Sequence, residues 1–430
     1  MRSDTVRLRS IVPPAAMSAA VLLLMLLFPR ESLEAGLTGV SIWWDVLFPS
    51  LFPFFVVSEL MLGFGIVHFF GTLLDPMMRP LFRLPGPGGF VMAMGFASGY
   101  PVGARLTSQL WEARLVDRSE SERLIAFTTT ADPIFLIGAV AVGFFHDASL
   151  APILAVSHYG GAVLLGVLLR LRSRGEPGAS VGRSAAPAAG ASAGIGRRSN
   201  GARPSSSGPL LVRAFEAMHA ARLADGRPFG QLLLDGVRSG LRLIVVVGGL
   251  VVFFSVVIKV LSMAHVVTAL QTAVGLVLGL VAIPAPLSAA VVNGLFEVTL
   301  GAKSAGQAMS SVSLQAQVAV ASFGLSWAGL SVHAQIMSIV SHMPVRYARY
   351  AAAKAVQGLL SGAIAFFAWP LLAPLRASVS AWAPAGEPAG WGAAAAYAPL
   401  TALVFAATLA AVPAAYVCFL LARRLLGVRR

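Results

Sequence analysis

"GFASGYPVGARL" (residues 95–106) follows directly on an apolar run, yet it carries three glycines, a proline and an arginine within twelve positions. Glycine loosens a helix, and proline removes a backbone donor. Irregular backbone at membrane depth is tolerated only where protein or a water-filled cavity satisfies its amides and carbonyls. The stretch therefore predicts a broken helix that lines a cavity. Gly99 and Gly103 permit the turn, and Pro101 is suited to begin a new half-helix. Amides freed at such a start attract anions, and Arg105 adds a fixed positive charge, which together suggest an anion clamp with Ser98 and Tyr100 beside it. The competing reading places Arg105 among lipid headgroups, where it only marks the end of a hairpin.

Composition supports a membrane setting. Of 430 residues, 57% are hydrophobic and 12% are charged, and the mean hydropathy is +0.79, outside the usual range of soluble domains. The fold expected is all-α and polytopic, with about 8–9 transmembrane helices and two re-entrant helical hairpins in an inverted repeat. The net charge of +14 does not point to nucleic acid, because the arginines cluster in tails, loops and one linker without interleaved aromatics. They read as topology signals. Cys418 is the only cysteine, so no intrachain disulfide forms. Arg2, Arg7 and Arg9 before an apolar run resemble a signal peptide, but the run from Ile11 to Pro29 is long for one and is read as a retained helix.

Apolar spans are expected at 11–29, 46–69, 124–145, 149–170, 241–263, 316–340, 355–374 and 397–421, with interrupted apolar stretches at 86–104 and 284–302. The expected organisation is an N-terminal helix and extracytoplasmic loop (1–45), a first repeat (46–171), a basic flexible cytoplasmic linker (172–228), a second repeat (229–375), and a loop, last helix and basic tail (376–430). A short helix is expected within the linker at "VRAFEAMHAARLADG". Arg79 and Arg83 before 86–104, and Arg105, Arg114, Arg118 and Arg123 after it, favour one side for both flanks, hence a re-entrant hairpin. Arg346, Arg349 and Lys354 are likewise taken as inside markers.

"GAR" at 103–105 and "GAK" at 301–303 lie 198 residues apart, and the same offset carries the first hairpin onto the second. Two similar units of opposite orientation are the arrangement of many secondary transporters, whose substrate sites lie where broken helices meet. The segment 266–283 is apolar enough to span, but its counterpart 70–84 reads as interfacial, so an interfacial or re-entrant helix is expected there. By the repeat, Lys303 supplies a second cation opposite Arg105.

Acids within apolar surroundings are costly and usually have a partner or a task. Asp132 in "FTTTADPIF" precedes Pro133, beside the hydroxyls of Thr128, Thr129 and Thr130. The group suits a cation or polar substrate; equally, the threonines back-bond to their helix and Asp132 caps the half-helix after Pro133. Glu297 in "NGLFEVTLGAK", with Asn293 one turn before and Thr299 after, suits coupling or substrate contact, or a plain interhelical hydrogen bond. Ser326, His333, Gln335, Ser338 and His158 are further candidates to line a cavity, although a lone histidine on a helix is more often a packing residue. Metal-ligand spacings, a Walker A lysine motif and a GxSxG elbow are lacking, so neither a metal, a cofactor nor an enzyme is expected, and the coupling ion is left open.

"WWDVLFPSLFPFFVVSELMLGFGIVHFFG", "GFASGYPVGARL", "AFTTTADPIFLIGAVAVGFFH" and "LFEVTLGAK" resemble the sporulation integral membrane proteins of endospore-forming bacteria, whose two Gate, or nucleoside-recognition, domains relate them to concentrative nucleoside transporters. The resemblance spans nearly the whole chain except the linker and the Ala/Pro-rich loop near 376–396. It implies a role in sporulation in the mother cell. By similarity to the stage V member, it also implies movement of dipicolinic acid across the outer forespore membrane. The partners expected are thus a small anionic solute such as dipicolinate and the lipid bilayer, with homo-oligomerisation left open. A nucleoside or nucleobase carrier and a non-transporting spore-envelope assembly protein are the alternatives.

Overall fold

The computed structural model describes residues 2–112, 114–172, 209–281, 283–308 and 311–380. The last expected span (397–421), Cys418, most of the linker and the loop near 376–396 fall largely or wholly outside these residues. Every regular element among the described residues is helical, in keeping with an all-α membrane protein.

The chain opens with α1 (Arg2–Leu27) and turns through 104° into α2 (Pro29–Ser41). A π-helical segment (Ile42–Leu47) carries α2 into α3 (Phe48–Gly63), so residues 29–63 form one helical path. This differs from the expected loop before residue 46. Pro29 sits at the first turn, where its missing N–H costs nothing, and small residues on one face draw the segment against a neighbour. Gly65, in the left-handed region (φ 72°), then turns the chain into α4 (Ile66–Phe82). After α4 come α5 (Pro87–Ser98) and α6 (Tyr100–Glu112), broken at Gly99, then α7 (Arg118–Thr128). A break follows α7, and beyond it a π-helical segment (Phe135–Phe144) precedes α8 (Ala151–Arg172).

The second half repeats this order after α9 (Leu210–Asp225), the short helix expected in the linker. α10 (Phe229–Met263) has 35 residues and matches the path from 29 to 63 at an offset of 200. His265, left-handed at φ 59°, turns the chain into α11 (Val266–Leu280), as Gly65 does before α4. The 15 residues of α11 are too few to span a bilayer alone. Next come α12 (Ser288–Phe296) and α13 (Val298–Gly306), broken at Glu297. They are followed by α14 (Leu314–Trp327) and α15 (Gly329–Ile339), broken at Ala328, and then by α16 (Tyr347–Phe367) and α17 (Trp369–Ser380). The stretch 316–340, expected as one span, is thus two helices, because Ala328 and Gly329 both take positive φ (76° and 75°) and end the hydrogen-bond ladder.

Equivalent helices pack against each other head to tail. Gly39 lies against Val252 and Ser255, Trp43 against Gly248, Phe52 against Gly240, Val56 against Gly236, and Gly63 against Leu232. As one number rises the other falls, so the path 29–63 runs antiparallel to α10, and Trp43 Nε1 donates to the Ile244 carbonyl across the seam (2.9 Å). Counterpart helices running in opposite directions make the two halves an inverted repeat. The seam closes tightly because glycines on both sides let the backbones approach. Gly161 of α8 meets Ser361 of α16, a second contact between counterparts.

Among the described residues, α8 with the short turn before it, α10 and α16 are each long and apolar enough to cross a membrane, and two bent pairs raise the number to five. Spans 124–145 and 316–340 do not add to it as single helices, since each is broken midway. The packed core runs through both halves and takes in α5, α7, α8 and α14.

Candidate functional site

The helix breaks meet in the middle of the fold. Gly99 adopts φ 88° and ψ 178°, a conformation open to glycine and strained for other residues. It ends α5 and lets Tyr100 begin α6 at once. Tyr100 is buried, and its hydroxyl donates to the Leu325 carbonyl of α14 (2.7 Å), which ties the first break to the opposite repeat. Gly95 and Gly103, on the two arms of this hairpin, both abut Thr128; a Cβ on Gly103 would lie 2.6 Å from the Thr128 carbonyl oxygen. The hairpin thus sits flush against the end of α7.

At the second break, Thr128 and Thr129 hydroxyls back-bond to the Leu124 and Ile125 carbonyls (2.7 and 2.9 Å), the arrangement that threonine adopts where a helix ends. The Thr130 hydroxyl donates to the Gly95 carbonyl (3.3 Å). Asp132 Oδ1 accepts the Phe135 N–H (2.8 Å) and so caps the segment that follows Pro133. In the second repeat Glu297 has the same part: Oε2 accepts the Leu300 N–H (2.8 Å), and Oε1 accepts the Thr299 hydroxyl (3.2 Å). Both carboxylates are buried.

A cavity of about 50 Å³, room for a few waters, lies between these breaks. Ser98, Gly99, Tyr100, Asp132, Glu297 and Thr299, six of the residues expected at the site, line it, as does Gln335. Part of its apolar wall comes from the antiparallel pair, Leu47 and Phe55 on one side and Val247 and Val251 on the other, and the rest from Pro101, Phe135, Val298 and Val332 beside the breaks. Gly103, Thr129 and Thr130 stand behind the lining as packing partners. Asn293 faces away and donates to the Ser304 hydroxyl (2.8 Å), with its Oδ1 buried and unpartnered.

The two expected cations are elsewhere. Arg105 Nη1 pairs with Glu59 Oε1 (2.9 Å) and donates to the Ser239 hydroxyl (2.8 Å), which itself donates to Glu59 (2.8 Å). The arginine joins α6 to α3 and α10, with its charge matched by a carboxylate that sequence reading passed over. Lys303 is partly exposed on α13, beyond the lining. The cavity is therefore lined by two carboxyl groups and no lysine or arginine.

Lys354, read as an inside marker, is wholly buried within α16. Its Nζ donates to the Thr129 carbonyl (2.8 Å) and to Gln357 Oε1 (2.6 Å). A three-alanine run before it ("YAAAK") and the apolar stretch after it were the available signals in the sequence. Flanking arginines at 346 and 349 hid them. His158 is buried on α8 and bound on both ring nitrogens: Nε2 accepts the Ala131 N–H (2.9 Å), so the neutral ring donates from Nδ1 to the Ser326 hydroxyl (2.7 Å). His333 bonds the Trp327 carbonyl through Nε2 (2.9 Å) at the break between α14 and α15. No group of three or more metal-ligating side chains occurs among the described residues.

Comparison with known proteins bears on this arrangement. The Gate family, described as nucleoside recognition, matches residues 45–148, which include the first two breaks. The sporulation integral membrane protein YlbJ of Bacillus subtilis (strain 168) is 40% identical over 341 residues, covering 79% of this chain and 78% of that protein. No solved structure matches the chain.

Proposed function

The chain belongs to the family of sporulation integral membrane proteins, and from that premise we propose that it is a secondary transporter of a small organic anion, dipicolinate by the resemblance to the family's stage V member, acting in the outer forespore membrane. One observation carries the transport reading: helix breaks from both halves of an inverted repeat converge on one largely apolar cavity that holds two carboxyl groups, the arrangement in which transporters hold solute and coupling ion. The cavity holds only a few waters, so a ring-bearing solute requires the halves to move apart around it. The antiparallel seam of glycines between residues 29–63 and α10 is a surface on which they can rock.

Asp132 and Glu297 constrain the chemistry. A dianion cannot share a desolvated cavity with two ionised carboxylates, since like charges at such range repel strongly in low dielectric. Loading a dicarboxylate therefore requires both to hold protons, which makes proton uptake part of the loading step. The Ser98, Tyr100 and Thr299 hydroxyls and the Gln335 amide then offer neutral hydrogen bonds to the solute. A nucleoside reading draws on the same carboxylates in ionised form, as acceptors for ribose hydroxyls.

The deciding experiment is uptake of radiolabelled dipicolinate and uridine into proteoliposomes, with a proton gradient of either polarity. Saturable dipicolinate uptake that an inward proton gradient accelerates supports the proposal. Uridine uptake without dipicolinate uptake selects the nucleoside carrier, and neither above empty vesicles selects the assembly protein.

A further inference from the structure

Lys354 has no part in the cavity, yet it is among the most deeply buried charged side chains described. It is the eighth residue of α16, as His158 is the eighth residue of α8. The two side chains do reciprocal work: each leaves one of the counterpart helices α8 and α16 and reaches the second break of the other repeat. His158 touches Ser326, one residue before the end of α14, and Lys354 touches the carbonyl of Thr129, one residue past the end of α7. At one end of this pseudo-symmetric pair the group is a histidine in a chain of hydroxyls, Ser326 to Ser361. At the other it is a primary amine among oxygens.

The oxygens around Lys354 are neutral. Thr129 O and Gln357 Oε1 accept from Nζ, the Tyr350 hydroxyl lies 3.4 Å from Thr129 Oγ1, and among the described residues no carboxylate comes within ion-pair distance of the amine. The buried amine is held by a carbonyl at the end of a broken helix and by an amide oxygen, two neutral oxygens of the kind that ligate a monovalent cation. Carbonyls exposed at unwound helix ends are what secondary transporters use to hold a coupling ion. An intramembrane charge without a counter-ion is expensive and is kept for a task.

We propose that the Lys354 ammonium stands in for a coupling cation at the unwound carbonyl of Thr129, so that the protein needs no sodium ion, and that removing the amine opens a site for a free alkali cation. The tethered charge holds the break after α7 in the shape that a bound ion gives it. Because the tether is covalent, this cation cannot be exchanged or released with solute. The uptake arm of the test rests on the transport reading above; the stability arm does not.

The test measures thermal unfolding of detergent-purified wild type, Lys354→Ala, Lys354→Gln and Lys354→Arg in matched choline, sodium and potassium chloride, and dipicolinate uptake in the same salts. Wild type and Lys354→Arg are expected to unfold at one temperature in all three salts. Lys354→Ala is expected to gain several degrees of Tm in sodium or potassium over choline, as binding to the folded state requires, and to recover uptake there. Sodium stabilisation of wild type overturns the proposal. So does a folded Lys354→Ala or Lys354→Gln that unfolds alike in all three salts. If Lys354→Ala fails to fold in choline, its folding in sodium counts for the proposal, and an indifferent Lys354→Gln counts against it. An alkali-dependent Tm without dipicolinate uptake in any variant keeps the cation site and removes the transport reading alone.

Discussion

The two repeats use the same two devices in opposite order. In the first repeat the hairpin breaks at a glycine, Gly99, and the following helix breaks before a carboxylate, Asp132; in the second the hairpin breaks at Glu297 and the following helix at Ala328 and Gly329, both at positive φ. Within each repeat the glycine makes room for the acid. A Cβ on Gly99 would lie 3.0 Å from Asp132 Oδ2, and one on Gly329 would lie 2.9 Å from the Val298 nitrogen and 3.1 Å from Glu297 Cα. Each break pair thus needs one residue that bends the chain and one that caps the half-helix beyond the bend. Their order along the sequence matters little, because inversion brings all four to one place. A search for identical residues at a fixed offset pairs Gly99 with Glu297 and passes over the likeness.

The sharpest way to break this comparison is to fill both glycines. Gly329→Ala should cost about 3 kcal/mol, because the left-handed φ and a backbone clash act together, and should sharply reduce the folded protein recovered from membranes. Gly99→Ala meets a movable carboxylate instead of backbone, so its cost is the strain of φ 88° and ψ 178° without the clash, and it should still lower uptake. Equal losses would mean that the breaks are not the asymmetric pair described.

Next in size come the carboxylates. Asp132→Ala and Glu297→Ala should each lose about 1–2 kcal/mol of capping and abolish uptake. Asp132→Asn and Glu297→Gln keep a capping oxygen, so the double variant should stay folded and take up dipicolinate without help from an acid exterior. Retained proton stimulation in that variant would place the protonated group elsewhere.

Arg105→Ala leaves Glu59, about one-fifth exposed, without its partner and should cost about 1 kcal/mol; Lys303→Ala, on a partly exposed surface, should stay within about 0.5 kcal/mol. Comparable uptake loss in both would restore the two cations to the site. The smallest effect lies outside the membrane. There the side-chain hydrogen bond from Arg227 holds the Asp225 carboxyl below its usual range, and Asp225 in turn raises the guanidinium. A depressed carboxyl stabilises above its unfolded pKa and loses that contribution as pH falls through the folded value. Asp225→Asn should therefore lower Tm slightly at neutral pH and leave it unchanged in acid.

Much of this arrangement was legible in the residues. "GFASGYPVGAR" and "TTTADP" announce breaks through glycine and proline, whose backbone limits are local. Asp132 and Glu297 stood out because acids are rare in apolar runs. The break at Ala328 was not legible: "FGLSWAGLSVH" reads as a continuous apolar helix, and only packing of Gly329 against Glu297 forces the turn. Neither was the first helical path from residue 29, whose polar start "PRESLEAG" looks like a loop until α10 is set beside it. Arg105 and Lys354 misled in opposite senses. An arginine near a break looked free because its partner Glu59 lies 46 positions earlier, and a lysine near two arginines looked like a surface charge. Sequence distance hides pairing, and composition hides depth.

The antiparallel seam has one more consequence. Each repeat lays its longest helical path along the counterpart of that path in the other, so each half is the template for its twin, as in a dimer of subunits inserted in opposite senses. The chain is in this respect a dimer fused head to tail, with the stretch between α8 and α9 as the splice. Severed there and produced as two polypeptides, the halves carry matching glycine faces and should find each other in the bilayer.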